Sequence, residues 1–192
     1  MEWLADKLTI YIINKKVISR ESYKIYCYGF LTGMEMILCV MICTIIAVYL
    51  KSFGEFLILI TVFFSLRAYV GGIHLKHYFL CLICSCFVIT FLLVASHLWV
   101  PNEYVAATVT SFTAFLIIKL APLATRERIG DPEEAAFFNK QRKHIFFVIA
   151  LLDLFFLIFD LDVFWSLIMY TMLVVLFSML LGLYKSECLK GN

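Results

Sequence analysis

Six apolar segments dominate this sequence, and short polar breaks separate them. The segments cover approximately residues 29–50, 54–70, 78–100, 104–121, 144–160 and 163–184. A helix needs about 20 apolar residues to cross the hydrocarbon core of a bilayer. Hydrophobic residues make up 64% of the chain and charged residues 16%, which is too apolar for a soluble domain of ordinary composition. The sequence therefore predicts an all-α, polytopic membrane helical bundle of about six transmembrane helices in one integral membrane domain spanning residues 1–192.

The N-terminal segment is different in character. Residues 2–27 combine apolar and charged side chains at roughly helical spacing, with Lys7 opposite the apolar face. That face would consist of Trp3, Leu4, Leu8, Tyr11 and Ile12. The pattern predicts that residues 1–28 form an amphipathic helix that lies on the membrane surface, and a soluble helix capping the bundle is the alternative. The segment lacks the apolar core and the cleavage site of a signal peptide.

The positive charges predict the orientation of the bundle. If the N-terminus is cytoplasmic and six helices cross the membrane, 15 of the 16 Lys and Arg residues fall on the cytoplasmic side, and only Lys51 falls outside. Cytoplasmic loops of membrane proteins carry an excess of Lys and Arg. We therefore expect a multi-pass membrane protein with both termini in the cytoplasm.

Two acids, Glu35 and Asp153, fall inside the predicted spans. An ionisable group at membrane depth is costly and marks a functional candidate. The structural alternative is a carboxyl group near the interface or one that is protonated inside the bundle. A small transporter, with these two acids along its path, is the main rival to an enzymatic function.

The densest cluster of reactive side chains lies in residues 67–86, on the predicted cytoplasmic side. The cluster contains Arg67, Gly71, Gly72, His74, His77, Cys81, Cys84 and Cys86. Three interpretations compete: a cysteine nucleophile with a histidine base, a zinc site formed by histidines and cysteines, or small cysteines that only pack. The odd total of seven cysteines, several within apolar segments, favours reduced thiols over a disulfide framework.

Helix geometry separates these interpretations in part. Residues 74, 77, 81 and 84 would share one face of an unbroken helix but would spread over about 15 Å of its axis, so they could not converge on one ion. His77 and Cys81 are four residues apart and could touch on a regular helix. His74 and Cys81 can meet only if the backbone near Gly71 and Gly72 leaves the helix, which glycine permits. Geometry alone favours His77 with Cys81.

The order of these residues resembles a known family signature. Arg67-x4-Gly72-x-His74-x6-Cys81 is similar to the signature of the AgrB family, the membrane peptidases of the accessory gene regulator quorum-sensing system. A second match follows the fourth segment, where Ala121 and Pro122 precede a basic loop. The loop departs from the family pattern at residues 128–134, which read RIGDPEE where the family has a lysine-proline pair. That difference bears on substrate preference more than on the chemistry.

The resemblance implies a cysteine endopeptidase with His74 as the base and Cys81 as the nucleophile. Gly72 and His77 would support the site, with His77 kept as the rival base. Arg67 would stabilise an oxyanion or hold a substrate carboxylate, unless it only anchors its helix at the interface. The resemblance implies neither a cofactor nor a metal.

The resemblance also implies the substrate and partners. The substrate would be a short AgrD-like propeptide with an amphipathic leader and an acidic tail, cleaved and then cyclised through a thioester into a thiolactone or lactone. The basic loop between residues 126 and 143 could receive the tail, although such charge more often only marks the cytoplasmic side. The resemblance further implies a location in the bacterial cell membrane. We also expect contact with membrane lipid and no nucleic acid, and we expect a homodimer because intramembrane acids are often hidden at an interface between subunits. A peptide exporter without peptidase activity is a further alternative.

Overall fold

The computed structural model describes the backbone of residues 2–70, 78–125 and 132–190. Within these ranges, the side chains of residues 78–79, 81, 122–125, 132–135 and 185–190 lie outside the description. The described backbone is helical, with one 3₁₀ turn at Arg20–Ser22, and contains no strand. The helices are α1 (Glu2–Asn14), α2 (Tyr23–Tyr49), α3 (Phe53–Val70), α4 (Tyr78–Leu98), α5 (Glu103–Thr125), α6 (Pro132–Ile158) and α7 (Asp162–Lys190). The predicted all-α class is confirmed.

The six helices α2 to α7 coincide with the six apolar segments of the sequence. Within the described residues, four helical stretches are long and apolar enough to cross a membrane: Arg20–Tyr49, Phe53–Val70, Glu103–Ala121 and Asp162–Tyr184. The apolar stretch Leu82–Leu98 of α4 is shorter, and α6 is not among the four. The membrane character is therefore supported, whereas the count of six spans stays a prediction at α4 and α6.

Three helices end in the same way. Lys16, Lys51 and Asp160 have positive φ angles of 57°, 57° and 52°, and each follows the last turn of α1, α2 or α6. The next amide bonds back five residues, as in Ser52 N to Ala47 O at 2.9 Å and Leu161 N to Phe156 O at 2.9 Å. This is the Schellman arrangement that closes a helix C-terminus. The polar breaks between the first and second and between the fifth and sixth apolar segments are therefore sharp turns between helices that contact each other.

The N-terminal amphipathic helix is shorter than predicted. It ends at Asn14, and residues 23–27 already belong to α2. The left-handed Lys16 turns the chain, so a single helix over residues 2–27 was wrong. α1 packs against α2 with Ala5 and Thr9 buried, while the predicted apolar residues Trp3, Leu4, Leu8 and Tyr11 are exposed. An exposed apolar face is the one that a membrane surface would cover.

The predicted basic loop is also shorter than the sequence suggested. α6 begins at Pro132, at the position where a proline fits the first turn of a helix. Residues 132–143 are therefore helical, and only residues 126–131 of the loop lie outside the described part of the chain. Hydropathy detects the lipid-facing part of a helix and cannot detect the polar turns that extend it.

Helix α7 lies at the centre of the bundle. It packs against α3, α4, α5 and α6. Half of the residues in its most apolar stretch are buried, compared with 28% in the next most buried span. One core cluster joins α3, α5, α6 and α7 around Met172 and Ile117, and a second joins α2, α3, α4 and α7 around Leu167 and Leu92. The end of α3 near the reactive cluster, with Leu66 and Val70, is thereby held in the same core cluster as Met179 of α7.

Candidate active site

The predicted catalytic segment connects two packed, antiparallel helices. α3 ends at Val70 and α4 begins at Tyr78, and the two helices contact each other. Gly72, His74 and His77 fall between them, in residues 71–77, and lie outside the described residues. Cys81 is the fourth residue of α4, so its backbone is described while its side chain is not. The described part of α4 thus carries Cys81 on its first turn, and the predicted backbone excursion at the glycines falls outside the description.

Arg67 lies on the last turn of α3, next to this segment. Its guanidinium donates a hydrogen bond from Nη1 to Ser178 Oγ on α7 at 2.6 Å. The guanidinium carbon also lies 5.9 Å from the centre of the Phe63 ring, within the range of a cation–π contact. Arg67 therefore ties α3 to the central helix α7, a contact that the sequence analysis did not predict.

The first turns of α6 close the same end of the bundle. The rings of Tyr69 and Phe138 meet edge to face, with 5.5 Å between their centres. Arg142 is buried and donates a hydrogen bond to the side-chain oxygen of Asn139, and burial lowers the pKa of the Arg142 guanidinium. Lys140 is exposed. Within the segment that was predicted to receive the acidic tail of the propeptide, Arg142 therefore points into the bundle, whereas Lys140 faces outward.

The two intramembrane acids lie on helices in different parts of the bundle. Glu35 on α2 and Asp153 on α6 are both half-buried. α2 packs mainly against α1, α3 and α4, whereas α6 packs against α3, α5 and α7. Because α3 lies between these two groups, this packing gives no support to a shared polar path lined by both acids.

Three cysteines from two helices lie close together in a group that the sequence analysis did not predict. Cys84, a proposed zinc ligand, is exposed on α4. Cys39 and Cys43 of α2 instead meet Cys86 of α4, with all three sulfurs within 4.8 Å of one another. The four-residue spacing of Cys39 and Cys43 was the available signal, but the sequence could not show that α4 would bring Cys86 to the same place.

A comparison with protein-family models identifies the family of this chain. The family model described as Accessory gene regulator B matches residues 5–183. The chain belongs to the AgrB family. The matched region contains the whole segment from Arg67 to Cys81 and extends from α1 to the last described turns of α7. AgrB membership is consistent with a role in processing a quorum-sensing peptide. Neither the curated proteins nor the solved structures gave a match.

Proposed function

We propose that this chain is a membrane cysteine endopeptidase that cleaves a short propeptide and promotes its cyclisation into an autoinducing peptide. The family match over residues 5–183 carries the proposal, because that region holds Arg67, Gly72, His74 and Cys81 in the order and spacing of the AgrB signature. A further support is the position of Cys81 on the first turn of α4, since the N-terminal end of a helix favours a negative charge such as a thiolate.

The first half of the reaction is an acyl transfer to the enzyme. His74 takes the proton of the Cys81 thiol, and the thiolate attacks the carbonyl carbon of the scissile peptide bond. The protonated His74 then gives its proton to the leaving amine. The C-terminal fragment of the propeptide leaves, and the N-terminal fragment remains on Cys81 as a thioester.

The second half is a ring closure. A cysteine or serine within the bound peptide attacks the thioester carbonyl, so the acyl group moves from Cys81 to the peptide's own side chain and the Cys81 thiol is restored. With a cysteine, one thioester replaces another of similar energy, and the product is a thiolactone. With a serine, the product is a lactone. Water would destroy the thioester, so closure requires a site that excludes bulk water.

Two described surfaces suit the two ends of such a propeptide. The exposed apolar side chains of α1, with Trp3 at 64% and Tyr11 at 61% exposure, would lie beside an amphipathic leader at the membrane surface. The exposed Lys140 and Lys143 at the start of α6 would attract an acidic tail. Lipid contact and a homodimer remain part of the proposal.

Co-expression with a candidate AgrD-like propeptide tests the proposal. Cys81→Ala and His74→Ala should each lower cleavage by about 10³-fold or more, as losses of a nucleophile or its base do in other proteases. The matched control is Cys84→Ala, which removes an exposed thiol three residues further along α4 and should retain cleavage. Mass spectrometry of the peptide and of a trapped acyl-enzyme would supply the readout.

Two results would change the proposal. Full processing by the Cys81→Ala protein would exclude a Cys81 thioester and with it the peptidase mechanism. An inactive His77→Ala protein beside an active His74→Ala protein would transfer the role of base to His77, whose separation of four residues from Cys81 allows contact on a regular helix.

A further inference from the structure

Three thiols meet between α2 and α4, away from the proposed catalytic pair. Cys39 and Cys43 lie one turn apart on α2, and Cys86 lies on α4. The three sulfur atoms are within 4.8 Å of one another, and Cys43 Sγ is 3.7 Å from Cys86 Sγ. Cys43 is fully buried, and the other two are half-buried. Two helices thus direct all three thiols at one point inside the bundle.

These separations match those around one metal ion. A metal–sulfur bond of about 2.3 Å places three sulfurs of a planar trigonal site about 4 Å from one another. The observed sulfurs need only small rotations about their side-chain bonds to reach that spacing. Among the residues that the structure describes, the group contains these three cysteines and no fourth histidine, cysteine or carboxylate.

The number of ligands selects the ion. Thiolate ligands favour Cu(I) and Zn(II), but structural zinc is almost always four-coordinate, whereas Cu(I) accepts three sulfurs. Cysteine binds a metal as the thiolate, so three thiolates complete the coordination of Cu(I) and leave zinc one ligand short.

We propose that Cys39, Cys43 and Cys86 bind one Cu(I) ion. Binding of the ion releases the proton of each thiol that becomes a thiolate ligand, and no atom changes its oxidation state. Because Cys86 lies five residues beyond Cys81, about 7–8 Å along the axis of α4, an occupied site fixes α2 to the helix that carries Cys81. The site is independent of the proposed peptidase activity and can be tested without any propeptide.

Competition against a chromogenic Cu(I) chelator tests the site directly. The full chain is purified in detergent, fully reduced and without oxygen, in a Cys81→Ala background that removes the proposed nucleophile. We expect one Cu(I) per chain and three sulfur scatterers at about 2.3 Å in X-ray absorption spectra. Cys43→Ser and Cys86→Ser should each weaken Cu(I) affinity by about 100-fold or more, as loss of a first ligand does. Cys84→Ser, which changes an exposed thiol on the same helix, should leave the affinity unchanged.

Four results would overturn the assignment. The first is equal removal of copper by the chelator from the parent protein and from a triple variant that carries Cys39→Ser, Cys43→Ser and Cys86→Ser. The second is fewer than three sulfur scatterers. The third is stoichiometric zinc retained in preference to copper. The fourth is a Cys43–Cys86 disulfide in the purified protein that persists under reduction. The parent stoichiometry and spectrum require no substitution in the cluster, so a misfolded variant does not remove the test.

Discussion

At the scale of single residues, Arg67 combines a position in the family signature with a structural contact to the central helix. It belongs to the family signature, yet its guanidinium is bonded to Ser178 on the central helix. A hydrogen bond from a charged donor contributes about 1.5–3 kcal/mol when it is partly shielded from water. Arg67 is therefore a positioning residue that holds the end of α3, and hence the start of the catalytic segment, against α7.

Ser178→Ala separates the two roles of Arg67. It removes the acceptor on α7 and leaves the guanidinium in place, so we expect the free energy of unfolding in detergent to fall by about 1–2 kcal/mol. Cleavage per folded molecule should change by less than a factor of about three. Arg67→Ala should lower both stability and turnover. An unchanged stability of Ser178→Ala would contradict the anchoring role, and a kcat loss in Arg67→Lys at normal stability would indicate direct contact with substrate.

At the scale of the helices, the start of α6 is the feature that the sequence interpretation described least well. The segment was treated as a basic loop, but residues 132–143 are helical and Phe138 packs on Tyr69 at the end of α3. The end of α3 therefore contacts two other helices: Arg67 bonds to α7, and Tyr69 packs on Phe138 of α6.

Phe138→Ala tests the contact between Tyr69 and Phe138. Loss of an edge-to-face aromatic pair, together with its packing, should lower the free energy of unfolding by about 1–2 kcal/mol. Phe147 on the same helix is 61% exposed, so Phe147→Ala is the matched control and should change stability by about 0.5 kcal/mol or less. Thermal unfolding in detergent measures both. Equal effects of the two variants would show that the contact between α3 and α6 contributes no specific stabilisation.

At the scale of the whole molecule, charge distribution predicts the orientation of the bundle. With Lys51 alone among the basic residues on the outer side, the positive-inside rule puts the N-terminus, the catalytic segment and the C-terminus in the cytoplasm. A propeptide made in the cytoplasm would then reach Cys81 without crossing the membrane.

Single-cysteine labelling of intact cells measures this orientation. In a background without native cysteines, Lys51→Cys should react with a membrane-impermeant maleimide, and Lys140→Cys should react only after lysis. Both positions are exposed in the structure, so burial does not explain a difference between them. The reverse labelling pattern would invert the topology and place the proposed site outside the cell.

The sequence by itself determined the class of protein and the family signature on which the proposed catalytic residues rest. Long apolar runs force helices, because in lipid every backbone polar group must be satisfied within the chain. The positions of six of the seven helices and the sharp turns at 51–52 and 160–162 follow from that constraint. The AgrB signature from Arg67 to Cys81 could also be found from sequence, because it depends on spacing along the chain, and the family match supports it.

Only the tertiary structure decided which side chains meet across helices. Hydropathy cannot show that α1 ends at Asn14, because a left-handed Lys16 rather than a loss of amphipathicity terminates it. Nor can it show that α7 is central, that Arg67 bonds to Ser178, or that Cys86 joins two cysteines of α2. Helix packing in a membrane depends on close fit and polar contacts rather than on apolar content, so these pairings become visible only in three dimensions.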